Sequence, residues 1–486
     1  MARNMTLLTD LYEITMAQGY WSQGKLDTEA CFYSFYRDNP FGGGYGVFCG
    51  ANQIAELVDG FGFTDDDIEY LASLQSPGET PLFDPAFLAW LREVELSVDI
   101  CTVPEGAPVF PREPLVRVVG PLLQCQLLEP AILNGVNFQT LIATKASRVC
   151  QAAEGRPVSE FGLRRAQGPD GALSSSRAAY VGGCASVANV LAGKLFDIPI
   201  GGTHAHSWVM SFPDELTAFR AYAQAMPDNC TLLVDTYDVE QGVKNAITVA
   251  RELERDGHRL SGIRIDSGDL AWLSKMARSM LDKAGFPDVG IVLSNDLDEY
   301  TITSLNDQKA QYTALGVGTH LAAAYGQPAL GGVYKLSAIR ESGQEEWTPR
   351  LKISEQLYKR TIPGVLDVRR YRNDDGMLVG DLIFDVNDGV PADAVIVDPL
   401  DAMRRRKMEG EFETLLKPLV KNGKVLDVDL SARTARTRCT EQLACLDDSI
   451  KRFMNPHEYP CGIERTLFKK RDDLVIMTGR NSSLYD

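Results

Sequence analysis

No run of about 18 consecutive apolar residues occurs anywhere in the chain, so no segment reads as a membrane-spanning helix. The first residues, "MARNMTLLTDLYEITMAQGYW", carry one arginine and no long apolar stretch of the kind a secretory signal uses. Positive charge is also in short supply, with 49 Lys+Arg against 66 Asp+Glu, a net −17. That balance excludes broad binding to nucleic acid or to anionic membrane, which both require a basic surface, and leaves room only for a local basic pocket. The ten cysteines include no CxxC pair and read as small buried hydrophobes; Cys439, Cys445 and Cys461 match no zinc ribbon or knuckle. With 44% hydrophobic and 24% charged residues the composition is that of a globular protein, not a disordered or fibrous one. A soluble, cytoplasmic protein is the expectation.

Histidine is scarce, at the same count as tryptophan. Only five are present in 486 residues, and two of them, His204 and His206, stand one residue apart in "GTHAHSWVM", just after the apolar "LFDIPI". A His-X-His at a strand end can be half of a metal site, a general base with its orienting partner, a nucleophile, or a polar loop.

From about residue 157 to 340 the sequence repeats one pattern: a short apolar, β-branched run ends in Gly, Asp, Asn or Thr and is followed by helical periodicity. The runs are "PVSEFG", "FDIPIGGT", "CTLLVDT", "SGIRIDSGD", "GIVLSND", "YTALGVGT" and "GGVYKLSAI". Gly162, Gly202, Asp235, Asp266, Asn295 and Gly318 recur at intervals of 40, 33, 31, 29 and 23 residues, which suits successive βα units. Helices are expected over 131–155 and 174–196. The fold class expected is α/β: an irregular (β/α) barrel over 131–350, a smaller α+β domain over 1–130, and a C-terminal segment, 351–486, folding back on that domain.

In such a barrel the working groups follow the strands. Those positions hold Phe161, Arg164, Thr203, His204, His206, Asp235, Arg264, Asp266, Asp269, Asn295, Asp296, Thr319, His320, Gly331 and Gly332. Asp235 or Asp269 alone is equally well a helix N-cap, and turns or tight packing are the more common use of such glycines. Arg264 is more telling, because an arginine inside a strand-like run needs an anion. Gly318–Thr319 and Gly331–Gly332 suit a phosphate cradled by backbone N–H groups, and Asp266 with Asp269 suits a hydrated Mg2+ shared with a diphosphate.

The segments "LLTDLYEITMAQGYW", "EFGLRRAQGPDGALSSSRAAYVGG", "GTHAHSWVMSF", "IRIDSGDL", "SNDLDE", "GVGTHL" and "LGGVYKL" together resemble the nicotinate phosphoribosyltransferase family. That resemblance implies synthesis of nicotinate mononucleotide and diphosphate from nicotinate and phosphoribosyl diphosphate, coupled to ATP hydrolysis, in NAD salvage. It further implies that His206 is the histidine phosphorylated by ATP and that Arg264 and Thr203, with Arg164 nearby, meet the nicotinate carboxylate. Phe161 and Tyr12 would sandwich the pyridine ring, with Tyr12 reaching a neighbouring subunit of a homodimer with a shared site. Asp266, Gly318, Thr319, Gly331 and Gly332 would serve phosphoribosyl diphosphate. Related nicotinamide enzymes carry an acidic residue where His204 stands, which favours nicotinate here. Phosphoribosyl transfer to nicotinamide or quinolinate and a metal-dependent barrel hydrolase are the competing readings.

Overall fold

The computed structural model describes residues 4–353 and 360–480. The chain divides into two compact units, one of Ile142–Pro328 with Ser431–Arg436 and one of Met1–Leu141, Ala329–Leu430 and Thr437–Asp486. The first boundary falls inside the 24-residue helix Glu129–Ala152.

The unit around Ile142–Pro328 realises the βα alternation as a six-stranded parallel sheet. Its order is Ser186–Val187, Val158–Glu160, Ala314–Val317, Gly290–Leu293, Gly262–Ile265, Thr231–Leu233. Helices Val239–Arg255, Leu270–Lys283 and Glu299–Asp307 follow the strands, and Asp238, Asp269 and Asp298 cap them by accepting amide hydrogens of the first turn. Strand residues such as Ile263, Ile265, Leu293, Leu315 and Val317 are buried, as expected for strands covered on both faces.

The sheet differs from the expected closed barrel. Its edge strands, Ser186–Val187 and Thr231–Leu233, are not paired to each other among the described residues, and no closed barrel forms. Two of the seven anticipated strands account for this. "FDIPIGGT" makes only a single parallel bridge, Ile200 to Val187, because Pro199 offers no N–H and glycines follow. "GGVYKLSAI" leaves the series: Gly332–Arg340 pairs antiparallel with Glu29–Tyr36 in the other unit. The single helix expected over 174–196 is likewise two, Gly168–Val181 and Val190–Phe196. Gly183 turns the chain between them at φ 118°, and a Cβ on Gly182 would fall 2.3 Å from the Ala143 carbonyl oxygen.

The other unit holds a seven-stranded sheet in which Glu29–Tyr36 is flanked by Gly332–Arg340 and Val116–Pro121, and in which Lys417–Lys421 pairs with Asp99–Thr102. A six-stranded sheet built from residues after 365 includes Leu366–Arg372 and Leu378–Asp385 as an antiparallel pair. Helix Leu11–Ser22 packs Ile14 and Ala17 into a cluster with Phe63, Leu71, Phe87, Leu91 and Leu123. Arg370, fully buried, is held by Asp381 at 2.6 Å with Glu113 at 3.5 Å. Burial, with the neighbouring Asp381 charge adding to it, pushes the Glu113 carboxyl well above the usual range. No helix among the described residues is long and apolar enough to cross a membrane.

Candidate active site

The C-terminal ends of the parallel strands carry the polar groups singled out in the sequence. Arg264 projects from Gly262–Ile265 with its side chain only 12% exposed. Its Nε donates to Ser294 Oγ (2.8 Å), its Nη1 donates to Thr203 Oγ1 (3.0 Å), and its Nη2 meets Asp266 Oδ1 at 3.1 Å. Ser294 in turn donates to Asp266 Oδ1 at 2.5 Å. Charge-assisted bonds of this kind fix a guanidinium far better than exposed ion pairs do, so Arg264 presents one orientation. Its Cζ lies 5.6 Å from the centroid of the Phe161 ring, within cation–π range. Phe161 is itself placed by close approach: its N–H donates to Val317 O, and a Cβ on Gly316 would fall 2.4 Å from its Cε2. Gly162 is equally constrained, since a Cβ there would meet Ala322 Cβ at 2.2 Å.

Glu160 braces this turn from below. Fully buried, it accepts hydrogen bonds from the Gly162 amide and, at 3.0 Å, from the Ser176 hydroxyl. Burial raises its pKa above the ordinary carboxylate range, partly offset by those two donors.

The two histidines have different surroundings. His204 is buried, its ring edge-on to Tyr222 at 4.7 Å, and its Nε2 accepts the Leu233 amide (3.2 Å) while Nδ1 lies 3.3 Å from Ala205 O. An acceptor at Nε2 requires the neutral ring with the proton on Nδ1, and burial lowers the pKa accordingly. His206 opens the short helix His206–Met210 with its side chain 40% exposed; Nδ1 lies 3.2 Å from Thr236 Oγ1 and Nε2 3.9 Å from Asp266 Oδ2. Asp235, one strand over, accepts from the Asp266 amide (3.0 Å) and the Ser267 hydroxyl (2.6 Å) through Oδ2, while its buried Oδ1 has no hydrogen-bond partner. Asp269 is spent as an N-cap, with Oδ1 accepting from the Trp272 amide at 2.9 Å.

Gly318 and Thr319 lie at the end of Ala314–Val317, where Thr319–Ala322 begins a short helix. The following His320 stacks on Tyr325 at 4.2 Å, 3.4 Å from Asp298 Oδ2. Arg164 sits in an exposed turn, Leu163–Arg165, with no ion pair among the described residues. Tyr12, Gly331 and Gly332 belong to the other unit: Tyr12 is 49% exposed on helix Leu11–Ser22, and Gly332 is pressed against Asn137, whose Oδ1 a Cβ would meet at 1.9 Å. The structure thus brings Phe161, Thr203, His206, Arg264 and Asp266 together within one unit. It adds Ser294, Thr236 and Ser267, which sequence reading passed over; Ser294 precedes the more conspicuous Asn295, whose φ of 103° marks the strand end as unusual backbone.

Three family models match in succession: the nicotinate phosphoribosyltransferase (NAPRTase) N-terminal domain over residues 7–137, the NAPRTase family over 157–361, and the C-terminal domain over 367–471. The chain is 40% identical to the nicotinate phosphoribosyltransferase of Bacillus subtilis (strain 168), an alignment covering 96% of this chain and 94% of the relative. It is 34% identical to the Homo sapiens nicotinate phosphoribosyltransferase, covering 93% of each. The crystal structure of human nicotinic acid phosphoribosyltransferase superposes with a TM-score of 0.83 at 32% identity, over 96% of this chain and 99% of that one. A nicotinate-nucleotide pyrophosphorylase from Pyrococcus furiosus shares the fold at TM-score 0.69 and 21% identity, over 91% and 96% of the two chains. Motif order, site geometry and similarity along nearly the whole chain agree: this protein belongs to the nicotinate phosphoribosyltransferase family.

Proposed function

We propose that the chain joins nicotinate to the phosphoribosyl group of phosphoribosyl diphosphate at these strand ends, releasing diphosphate, and couples the step to ATP through phosphorylation of His206. The family activity in NAD salvage rests on the relatives. The observation that carries the substrate assignment is Arg264, oriented by Thr203, Ser294 and Asp266 beside the Phe161 ring. A planar aromatic acid fits that pair, with its carboxylate on the guanidinium and its ring against Phe161. Nicotinamide lacks the charge, and no acidic side chain follows Thr203 to receive its amide.

Displacement at the anomeric carbon passes through an oxocarbenium-like state. Positioning and charge stabilisation therefore dominate, and no strong base is required. Gly318, Thr319, Gly331 and Gly332 are assigned to phosphoribosyl diphosphate, and Tyr12 to nicotinate in the shared site of a homodimer. Exposed Leu8, Leu11 and Tyr12, and exposed Val190, Leu191, Leu195 and Ile200, supply apolar surface suited to such a dimer. Mg2+ would add charge at the diphosphate. Asp235 Oδ1 and Asp266 Oδ2 are the carboxylate oxygens left over by local hydrogen bonds and fit that role; Asp269 contributes less, because it caps a helix.

For the ATP step, Thr236 Oγ1 accepting from Nδ1–H of His206 leaves the lone pair on Nε2, which attacks the γ-phosphate while ADP departs. His204 serves as a neutral brace to the Leu233 amide, which also disfavours the hydrolase reading, since its ring nitrogens are both engaged by backbone.

The test is a chromatographic end-point assay of purified protein with Mg2+, phosphoribosyl diphosphate and nicotinate, nicotinamide or quinolinate, each with and without ATP. Nicotinate mononucleotide formed from nicotinate, faster with ATP, is the expected result; product only from nicotinamide or quinolinate overturns the substrate assignment, and an equal rate without ATP overturns the coupling.

A further inference from the structure

The unit that includes Glu29–Tyr36 and Leu366–Arg372 holds a small pocket, partly open to solvent, lined by three arginines: Arg112, Arg360 and Arg471. Tyr33, Phe35, Ile362, Pro399 and Leu400 complete the lining. The chain as a whole carries −17, so three cations at one point are a local reversal of charge. Their hydrogen bonding is incomplete. Arg471, 5% exposed, donates through Nη1 to Pro399 O at 3.1 Å and meets Asp472 Oδ1 through Nε and Nη2 at 3.2 and 3.0 Å. Arg112 and Arg360 have no ion pair among the described residues, and the Nε of each is buried without a hydrogen-bond partner. Among the described residues, Arg471 alone of the three has a carboxylate partner.

Backbone geometry adds a separate observation. Arg112 adopts φ 68°, in the left-handed region that side-chain-bearing residues avoid, with its amide tied to Tyr36 O at 2.8 Å. Such outliers persist where the surroundings over-determine them, and they collect at ligand sites. Tyr33, by contrast, is satisfied: its hydroxyl accepts the Ile362 amide at 2.9 Å. The unpartnered groups of the lining are the cationic Nε–H of Arg112 and Arg360.

Buried guanidinium donors without a carboxylate partner are costly, and an anion relieves both the missing hydrogen bonds and the mutual repulsion. The space is far smaller than sites that enclose drug-sized ligands, which favours a small ion or the terminal group of a larger molecule. Arginine forks match a tetrahedral oxyanion with several acceptor oxygens. We propose that Arg112, Arg360 and Arg471 form a phosphate-binding site, built from residues other than those assigned to nicotinate and phosphoribosyl diphosphate. Free phosphate and the phosphate of a phosphomonoester present the same dianion to it.

The experiment uses the full chain in phosphate-free buffer. Calorimetric titration with inorganic phosphate, and separately with ribose 5-phosphate, is run on the wild type and on Arg112→Gln/Arg360→Gln. Loss of two charge-assisted partners should weaken one class of site by about 10–100-fold, with kcat and KM for nicotinate unchanged within about two-fold. Weakening seen with inorganic phosphate assigns the free ion; weakening seen only with ribose 5-phosphate assigns a phosphomonoester. Equal stoichiometry and affinity in wild type and double variant for both probes overturns the proposal. Should the variant fail to fold, wild-type crystals soaked in selenate decide the matter: an anomalous peak among the three guanidinium groups supports the site, and none there refutes it.

Discussion

His206 Nε2 lies 3.9 Å from Asp266 Oδ2, and the same aspartate uses its other oxygen to hold Arg264 at 3.1 Å. One carboxylate thus connects the group assigned to ATP with the group assigned to nicotinate. A phosphoryl group on Nε2 would bring negative charge against Asp266 and shift how it holds Arg264, a physical route by which ATP affects nicotinate binding. His206→Ala should abolish ATP-dependent stimulation and radiolabelling from γ-labelled ATP, while slow ATP-independent formation of nicotinate mononucleotide persists. Labelling of the variant at wild-type level would remove His206 from that role.

Arg264→Lys keeps the charge but loses the fork that engages Thr203, Ser294 and Asp266 at once. The KM for nicotinate should rise by about 10–100-fold, as expected for loss of a charge-assisted contact, with a smaller effect on phosphoribosyl diphosphate. Steady-state kinetics with each substrate varied in turn separates the two, and a defect confined to phosphoribosyl diphosphate would reassign the arginine.

Ser294→Ala removes the hydroxyl that bridges Arg264 and Asp266, leaving the arginine with two of its three partners. A net loss of about 1 kcal/mol in orientation corresponds to roughly a five-fold rise in nicotinate KM. Because Ser294 contacts neither ring nor phosphate in this assignment, kcat at saturation should change less than KM.

Glu299 is fully buried and meets Lys145 at 2.6 Å and Arg148 at 2.8 Å. Glu299→Ala removes the buried carboxylate that both cations meet and should cost about 3–5 kcal/mol. Urea denaturation followed by tryptophan fluorescence measures it; a shift under 1 kcal/mol would mean that water reaches the pair on mutation.

Glu13, adjacent to Tyr12, accepts from Gln126 Nε2 at 2.6 Å, and burial pushes its pKa up to about 7 from 4.5. The folded state holds a proton between those values that the unfolded state has released, so its contribution favours folding below about pH 4.5 and is lost as pH rises through 7. Glu13→Gln should flatten the fall in melting temperature between pH 5 and about 8. An unaltered pH profile would show that Glu13 is ionised throughout.

Much of this was legible in the sequence because strand-end chemistry is local. Apolar runs ending in "RID", "VDT" and "GVGT" place Arg264, Asp266, Asp235 and Thr319 at the ends of parallel strands whatever closes the sheet, since strand polarity alone sets that edge. The spacing of "GTHAH" likewise put both histidines at one mouth. Local periodicity, however, cannot state which sheet a strand joins. "GGVYKLSAI" reads as one more βα strand, but its partner Glu29–Tyr36 lies some 300 positions upstream in the chain, and pairing is decided by the antiparallel register those residues find.

What the sequence by itself determined is therefore the βα series, its capped helices and the identity of the groups at the strand ends, all of which follow from hydrophobic period, turn chemistry and motif. Only the tertiary structure decided that His204 is a neutral brace and His206 the exposed ring, that Ser294 joins Arg264 to Asp266, and that Asp269 is absorbed by a helix terminus. These are contacts between residues about 30 apart or capping choices among equivalent carboxylates. Side-chain direction at each strand end settles them, and that direction is fixed only when neighbouring strands pack.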